Sequence, residues 1–432
     1  MKTSQRLFLL SIVIFLSACN RPTPPAANLP PETVPGPTTK AASTDQGPTR
    51  TPFPTFTPAP ATASPKLPTP VPPTEDPKQE RAQNSFPLLQ PGQEFNILKI
   101  KMVDADTGWS IATGDPGSQH ILRTRDGGNT WRDVSPPQPT SPDRRPQQAA
   151  AAFFGPESAW VIYTGSELIW STADAGATWE SVQLDFQTLG GALFTVLDRD
   201  HVWLFQFLDA GMQKVYTAEY RTADGGQSWV KLLDPYQDAS IQAFDKTGAV
   251  FHNPQYGWLT RDFRGVQPMI QLDVTEDGGS TWQAIPLPEP TSAEDLFRNC
   301  ACGLYDPQLT SSEEGTFRVS CSCFQNDAQI INSYYYQTTD GGENWKIQEM
   351  PEGKLYHVSS QVLYAVGNEI FRSEDGGNSW TEVKTVFWEG QFSFVNRDLA
   401  WAVAYDPEDE EYALVKTTDG CRSFIEIDPQ IR

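Results

Sequence analysis

One eight-residue pattern recurs seven times in this chain, and that recurrence leaves few folds open. The copies are Thr124 to Trp131 (TRDGGNTW), Thr172 to Trp179 (TADAGATW), Thr222 to Trp229 (TADGGQSW), Thr275 to Trp282 (TEDGGSTW), Thr338 to Trp345 (TTDGGENW), Ser373 to Trp380 (SEDGGNSW) and the degenerate Thr417 to Phe424 (TTDGCRSF). The shared aspartates are Asp126, Asp174, Asp224, Asp277, Asp340, Asp375 and Asp419, spaced by 48, 50, 53, 63, 35 and 44 residues. Asp-Gly-Gly between alternating apolar runs is a hairpin turn: the carboxylate caps nearby backbone N–H groups and the glycines accept positive φ. The closing aromatic then starts the outgoing strand. A second register, an apolar run ending in Trp, precedes most copies at Trp109, Trp160, Trp203, Trp258 and Trp401, so the two registers consume 11 of the 13 tryptophans. Aromatic residues in this chain serve the repeat.

Each unit of about 48 residues reads as four short strands; in the first unit these are Phe95 to Met102, Gly108 to Thr113, His120 to Thr124 and Thr130 to Val134. A four-stranded antiparallel sheet cannot bury its aromatic faces alone, and radial stacking of such sheets solves the problem. The fold class is therefore all-β, a seven-bladed β-propeller over residues 87–432. Repeat arithmetic overrides the two or three domains that length alone suggests. Each unit runs its four strands in order, with no obvious interleaved strand to close the ring; Asn84 to Leu89 is the spare apolar segment that could supply one.

The Ser/Thr-x-Asp-x-Gly-x-Ser/Thr-Trp pattern resembles the Asp-box, or bacterial neuraminidase repeat. With Ala105 to Trp109 (ADTGW) ahead of Leu122 to Trp131, the chain is most similar to the photosystem II stability/assembly factor-like propellers, over about 340 residues. The resemblance implies structural hairpins at the blade periphery, so Trp131, Trp179, Trp229, Trp282, Trp345, Trp380 and the seven aspartates are expected to be framework and not catalytic. It also implies an assembly or scaffold role, although Asp-boxes occur in sialidases, glucanases and receptors too.

Composition divides the chain. Residues 21–77 hold 18 of the 37 prolines, among Thr, Ala and Ser. Such a stretch buries too little apolar surface to offset its ordering entropy, and a disordered, polyproline-biased tether is expected over residues 19–86. Fully extended at about 3.1 Å per residue it would reach roughly 200 Å. Before it, Lys2 and Arg6 precede an apolar run from Leu7 to Leu16, which rises only about 15 Å as a helix and is too short to span a bilayer. This is the form of an export signal, residues 1–18. Leu16 to Cys19 (LSAC) resembles the bacterial lipobox, which implies a lipidated Cys19 and an anchor in the cell envelope, facing the periplasm or the exterior.

Removing the first 90 residues leaves 24 basic and 49 acidic side chains, so the folded part sits near −25. Nucleic-acid phosphates demand clustered Lys and Arg, and this domain offers the opposite. Assembly-factor propellers are said to use a basic patch; the acidity here turns the expectation toward a cationic partner and away from photosystem II itself.

Beyond Cys19 there are five cysteines. Cys300 and Cys302 face Cys321 and Cys323 across a turn-rich insert, and alternation on two antiparallel strands would pair Cys300 with Cys323 and Cys302 with Cys321. A four-thiolate zinc site is the rival, disfavoured because neither knuckle has two intervening residues. Cys421 replaces a turn glycine and has no expected partner.

Signals for chemistry are sparse. His120, His201, His252 and His357 are isolated from one another, without metal-ligand spacing, and no metal or other cofactor is assigned. There is no nucleophile elbow and no phosphate loop. Arg261, Asp262, Arg264 and Tyr334 to Tyr336 are the nearest material for sialidase chemistry; the arginines are expected in a solvated loop, and the middle tyrosine on the opposite strand face from its neighbours. The loop from Pro136 to Gln148, with Arg144 and Arg145, and the acidic run Asp406 to Glu411 are expected to be solvated connections. The function expected is that of a monomeric, membrane-tethered, non-enzymatic scaffold for a surface protein or glycan. The alternatives are a secreted sialidase-like glycoside hydrolase and an adhesion or solute-binding protein. The hydrolase requires carboxylates and arginines converging at the central channel.

Overall fold

The computed structural model describes residue 85 and residues 87–432, apart from 115–116, 141–144, 212–213, 238–244, 268, 326–327 and 408–410. The expected signal peptide, Cys19 and nearly all of the tether lie outside the described residues. No helix among the described residues is long and apolar enough to cross a membrane.

Seven four-stranded antiparallel units follow in chain order. Blade 1 comprises β1 (Phe95–Met102), β2 (Gly108–Gly114), β3 (Gln119–Thr124) and β4 (Thr130–Asp133), each bound within one residue or so of where the sequence places it. Blade 2 is β5 (Ala149–Phe154), β6 (Ser158–Tyr163), β7 (Leu168–Thr172) and β8 (Glu180–Gln183). Blade 3 is β9 (Ala192–Val196), β10 (Val202–Gly211), β11 (Lys214–Thr222) and β12 (Val230–Leu233). Blade 4 holds β13 (Asp245–Phe251), β14 (Gly257–Val266), β15 (Gln271–Thr275) and β16 (Gln283–Pro286); a single helical turn, α1 (Leu296–Asn299), leads out of it. Blade 5 is β17 (Cys300–Leu309), β18 (Gly315–Gln325), β19 (Ala328–Thr338) and β20 (Lys346–Met350). Blade 6 is β21 (Lys354–His357), β22 (Leu363–Val366), β23 (Glu369–Ser373) and β24 (Thr381–Thr385), and blade 7 is β25 (Glu389–Phe394), β26 (Ala400–Asp406), β27 (Glu411–Thr417) and β28 (Ile425–Ile427).

Apolar cores lie between blades. Trp109 and Ile111 of blade 1 pack with Val161 and Tyr163 of blade 2, and Trp203 and Phe205 of blade 3 pack with Phe251 and Leu259 of blade 4. Burying one sheet face against the next is what a half-apolar, alternating strand demands. The tyrosine run obeys the same period: Tyr334 and Tyr336 join the core toward blade 4, while Tyr335 joins the core toward blade 6. Blades 4 and 5 merge, because the ten-residue β14 outruns β13 and pairs with β17 through Asp262↔Gly303 and Val266↔Ala301.

Ring closure departs from expectation. Asn84 and residue 86 lie outside the described residues, and Pro87 to Leu89 form no blade strand; Ser85 makes one bridge to Pro139, and the Leu89 N–H donates to Asp133 Oδ2 at 2.8 Å. Closure comes from the other end of the chain. A short strand β29 (Gln430–Ile431) adds in parallel to the outer edge of β4, and Ile431 joins Trp131 and Trp401 in the core shared by blades 1 and 7. The loop after β4 also differs from the expected solvated connection, since Gln138 is buried and accepts the Trp170 indole N–H at 2.8 Å.

Candidate functional site

The seven repeat hairpins all lie at one end of the blades, together with the β1–β2 type turns. In the first, Asp126 Oδ1 accepts the Thr130 N–H at 2.9 Å and Oδ2 the Thr130 hydroxyl at 2.6 Å, while the Thr124 hydroxyl accepts the Gly128 N–H at 3.0 Å. The residue after each aspartate then donates its backbone N–H to the inner turn of the same blade: Gly127 to Asp106, Ala175 to Glu157, Gly225 to Asp200, Gly278 to Gln255, Gly341 to Glu313, Gly376 to Gln361 and Gly420 to Asp398. The hairpin thus clips the outer strand pair of a blade to its inner pair. Its carboxylates are consumed by this role. Hydrogen bonds from Ser379 and Ser373 hold Asp375 down to about 2, and those from Ser423, against slight burial, hold Asp419 at about 2. Such groups stay ionised and cannot serve as general acids near neutrality.

The upstream tryptophans make the next link. Trp160 donates its indole N–H to Gly225 O at 2.8 Å, Trp203 to Gly278 O at 2.9 Å and Trp401 to Gly127 O at 2.9 Å, each reaching the repeat hairpin of the following blade. Blade 6 substitutes Tyr364, whose hydroxyl donates to Arg397 O at 2.6 Å. A third device escaped the sequence reading although its signal was there. Asp104, Asp198, Asn253 and Asn396, each five residues before a register tryptophan, cap the inner turn; Asp104 Oδ1, for example, accepts N–H groups of Asp106 and Thr107 at 2.9 and 2.7 Å.

At the opposite end, a cavity of about 290 Å³ opens between blades 1, 2 and 3, lined by Leu98, Lys99, Gln119, Gln148, Thr164 and Ala192 among others. Lys99 is its one charged side chain among the described residues, held below the ordinary lysine value by burial and then by Lys354. Arginine and carboxylates do converge elsewhere on the inner strands. Arg318 Nε lies 3.0 Å from Asp306 Oδ2, and its guanidinium stacks 4.7 Å from the Tyr305 ring. Burial, then the Asp262 charge, pushes that phenol up to about 12. A phenol held protonated, beside one arginine whose charge Asp306 already answers, is poor equipment for attack on a sugar.

Arg261 corrects the solvated-loop expectation. It lies on β14, 5% exposed, in a close ion pair with Asp273. The backbone of Arg264 continues the same strand. Beside them, between blades 3 and 4, Lys246 Nζ sits 3.7 Å from Glu219 Oε1, both side chains almost wholly buried, and Glu219 Oε2 accepts the Trp282 indole N–H at 3.2 Å. Burial drives this pair toward neutrality, raising the Glu219 carboxyl and lowering the Lys246 ammonium. Because its members come from separate blades, no local pattern announces the group.

The histidines stay apart. His120 is buried, with Nδ1 2.7 Å from Asp133 Oδ2, His201 contacts Asp198, and His252 is exposed at a turn. His357, pushed down to about 4 by burial, contacts the Thr316 hydroxyl at 3.1 Å. Cys300 is bonded to Cys323 and Cys302 to Cys321. Cys421 is a buried free thiol, raised to about 12 by burial and then by Asp419.

The family model described as Photosynthesis system II assembly factor YCF48 matches residues 79–243. The chain is 25% identical over 309 residues to "Photosystem II stability/assembly factor HCF136, chloroplastic" of Oryza sativa subsp. japonica, covering 67% of this chain and 71% of that protein. It is 26% identical over 163 residues to the protein so named in Arabidopsis thaliana, covering 38% and 37%. Among solved structures, "YCF48 from Cyanidioschyzon merolae" shares 16% identity with a TM-score of 0.48, covering 77% of this chain and 98% of that one. The sequence matches bear out the resemblance read from the repeats: this is a BNR-type propeller akin to the photosystem II assembly factors.

Proposed function

We propose, taking that kinship as premise, that the chain is an extracytoplasmic scaffold, lipid-anchored through Cys19, which offers a propeller face to a protein partner during assembly of an envelope complex. The observation that carries this reading is the use made of its polar residues. Each repeat aspartate is bound into its hairpin, and the inner-wall arginine Arg318 is answered by Asp306. A rigid disc whose repeat aspartates and inner-wall arginine are spent on framework is suited to binding rather than to bond cleavage. The long proline-rich segment would let the disc reach its partner from the membrane.

The test is capture with the full chain from native membranes, followed by a glycan array and a panel of fluorogenic glycosides with the isolated propeller. A defined protein complex retained by the full chain, with no turnover of glycosides, is the expected result. Turnover that disappears in Tyr305→Phe would replace the scaffold with a glycoside hydrolase.

A further inference from the structure

The end of the ring away from the repeat hairpins is not level. Measured from the repeat, the third strand of blade 5 runs 11 residues, Ala328–Thr338, and that of blade 6 only 5, Glu369–Ser373. At about 3.4 Å per residue this makes a step of about 20 Å. Low on the step, Tyr335 of blade 5 packs against Leu355, Leu363 and Ala365 of blade 6. Higher up the same face opens to solvent. Phe324 and Gln329 are register partners there, Gln329 Nε2 donates to Ser322 Oγ at 2.9 Å, and Phe324 keeps 75% of its surface exposed. The opposite face of this tall hairpin is pinned by Cys300–Cys323 and Cys302–Cys321. It is therefore a stiff wall.

At the foot lies a cavity of about 600 Å³ lined by Glu352, Gly353, Gly367, Glu369, Glu389 and Gly390 among others. Its floor is main chain: Gly353 has φ +136, and a Cβ there would come within 2.5 Å of the Val366 backbone. Next to Glu389, Phe387 of the blade 7 side is 90% exposed. No ion pair is made by Glu352, Glu369 or Glu389 among the described residues.

We propose that this notch is a docking surface for a basic segment of a partner protein bearing an aromatic or aliphatic anchor; the proposal rests on the scaffold reading above. Three unanswered carboxylates around a recess favour a cation that would be desolvated against them. Two exposed phenylalanines supply apolar contact of the kind that anchors protein interfaces. A wall fixed by disulfides loses little freedom on binding. With a net charge of −22 on the chain, an acidic partner or a second copy of this chain is disfavoured.

The experiment uses the full chain and a labelled synthetic peptide alternating Lys with Phe and Leu, read by fluorescence anisotropy, with its Glu-for-Lys and Gly-for-Phe/Leu analogues. The basic apolar peptide should bind, more weakly as salt rises, and both analogues should lose affinity. E352Q/E369Q/E389Q and, separately, F324S should each weaken binding about tenfold or more, while the control triple E276Q/E313Q/E343Q at the other end should not. Equal loss in the control triple, or no loss in either notch variant, would overturn the proposal, as would unimpaired binding of the Gly-for-Phe/Leu peptide, which marks a site for small polycations. Membrane capture separates the two readings. A complex held equally by wild type and notch variants leaves the scaffold standing without this surface, whereas no complex with wild type removes the scaffold itself.

Discussion

Asp375 and Asp419 are only partly buried, yet three donors to the first carboxylate and four to the second hold both at about 2, below an ordinary aspartate. A carboxyl whose folded pKa is depressed adds stability that is complete above its unfolded value near 3.8 and disappears as pH falls through its folded value near 2. All seven repeats carry the same aspartate, so acid should loosen every blade in that window. The thermal midpoint is expected to fall steeply between pH 4 and about pH 2, and Asp375→Asn/Asp419→Asn should make that limb shallower while lowering the midpoint at pH 7. Parallel acid limbs for the two proteins would refute the assignment. The Glu219–Lys246 pair makes the opposite kind of prediction, because its members are buried. Lys246→Met alone should cost about 1–3 kcal/mol by leaving Glu219 Oε1 buried without its partner, and Glu219→Gln/Lys246→Met distinctly less. Urea denaturation of the four proteins of this cycle measures it. Additive costs would mean the two side chains are not coupled.

Among elements, the blade-5 hairpin shows what sequence can and cannot convey. Alternation alone placed Cys300 opposite Cys323 and Cys302 opposite Cys321, because facing strands share a period of two, and the structure pairs them so. Strand positions in blade 1 were legible for the same reason, aided by turn glycines at Gly127 and Gly128 with φ of +73 and +94. Arg261 was misread because its neighbours Asp262 and Arg264 look like a charged loop; β13 pairs the strand through Arg261 and Asp262, opposite Lys246 and Asp245, and beyond them β17 of blade 5 takes over as partner at Val266, a contact invisible to local pattern. The height of the blade-5 hairpin over blade 6 is likewise a relation between two units. Both disulfides close nearly the same loop, with separations of 23 and 19 residues. Once either is made, the second removes little further chain entropy. Cys300→Ser/Cys323→Ser and Cys302→Ser/Cys321→Ser should each cost well under the roughly 3 kcal/mol expected on losing both. Denaturant titration of the three variants checks this, and two equal, additive losses would show that the bridges act independently.

At the scale of the whole ring, stability depends on a seam that no single blade contains. Blade 7 meets blade 1 through the Trp401 indole on Gly127 O at 2.9 Å, Ser393 Oγ accepting the Met102 N–H at 2.8 Å, and β29 on the edge of β4. The other blade junctions are joined by continuous chain, so an opened seam costs no covalent link, and a propeller behaves as a closed stack only while this junction holds. Leu89, at the end of the segment expected to supply a closing strand, instead fills the core beside Asp133. Ile431→Ala should cost about 2–4 kcal/mol through the vacated space, and Trp401→Phe about 1–2 kcal/mol through the orphaned Gly127 carbonyl. The informative readout is spatial. Hydrogen exchange should accelerate in β1–β4 and β25–β28 in both variants, leaving blades 3 to 5 protected, whereas Trp203→Phe, which removes the equivalent bond to Gly278, should accelerate exchange between blades 3 and 4. Uniform acceleration around the ring in the Ile431 and Trp401 variants would show that closure is spread over all seven interfaces and that the seam has no separate standing.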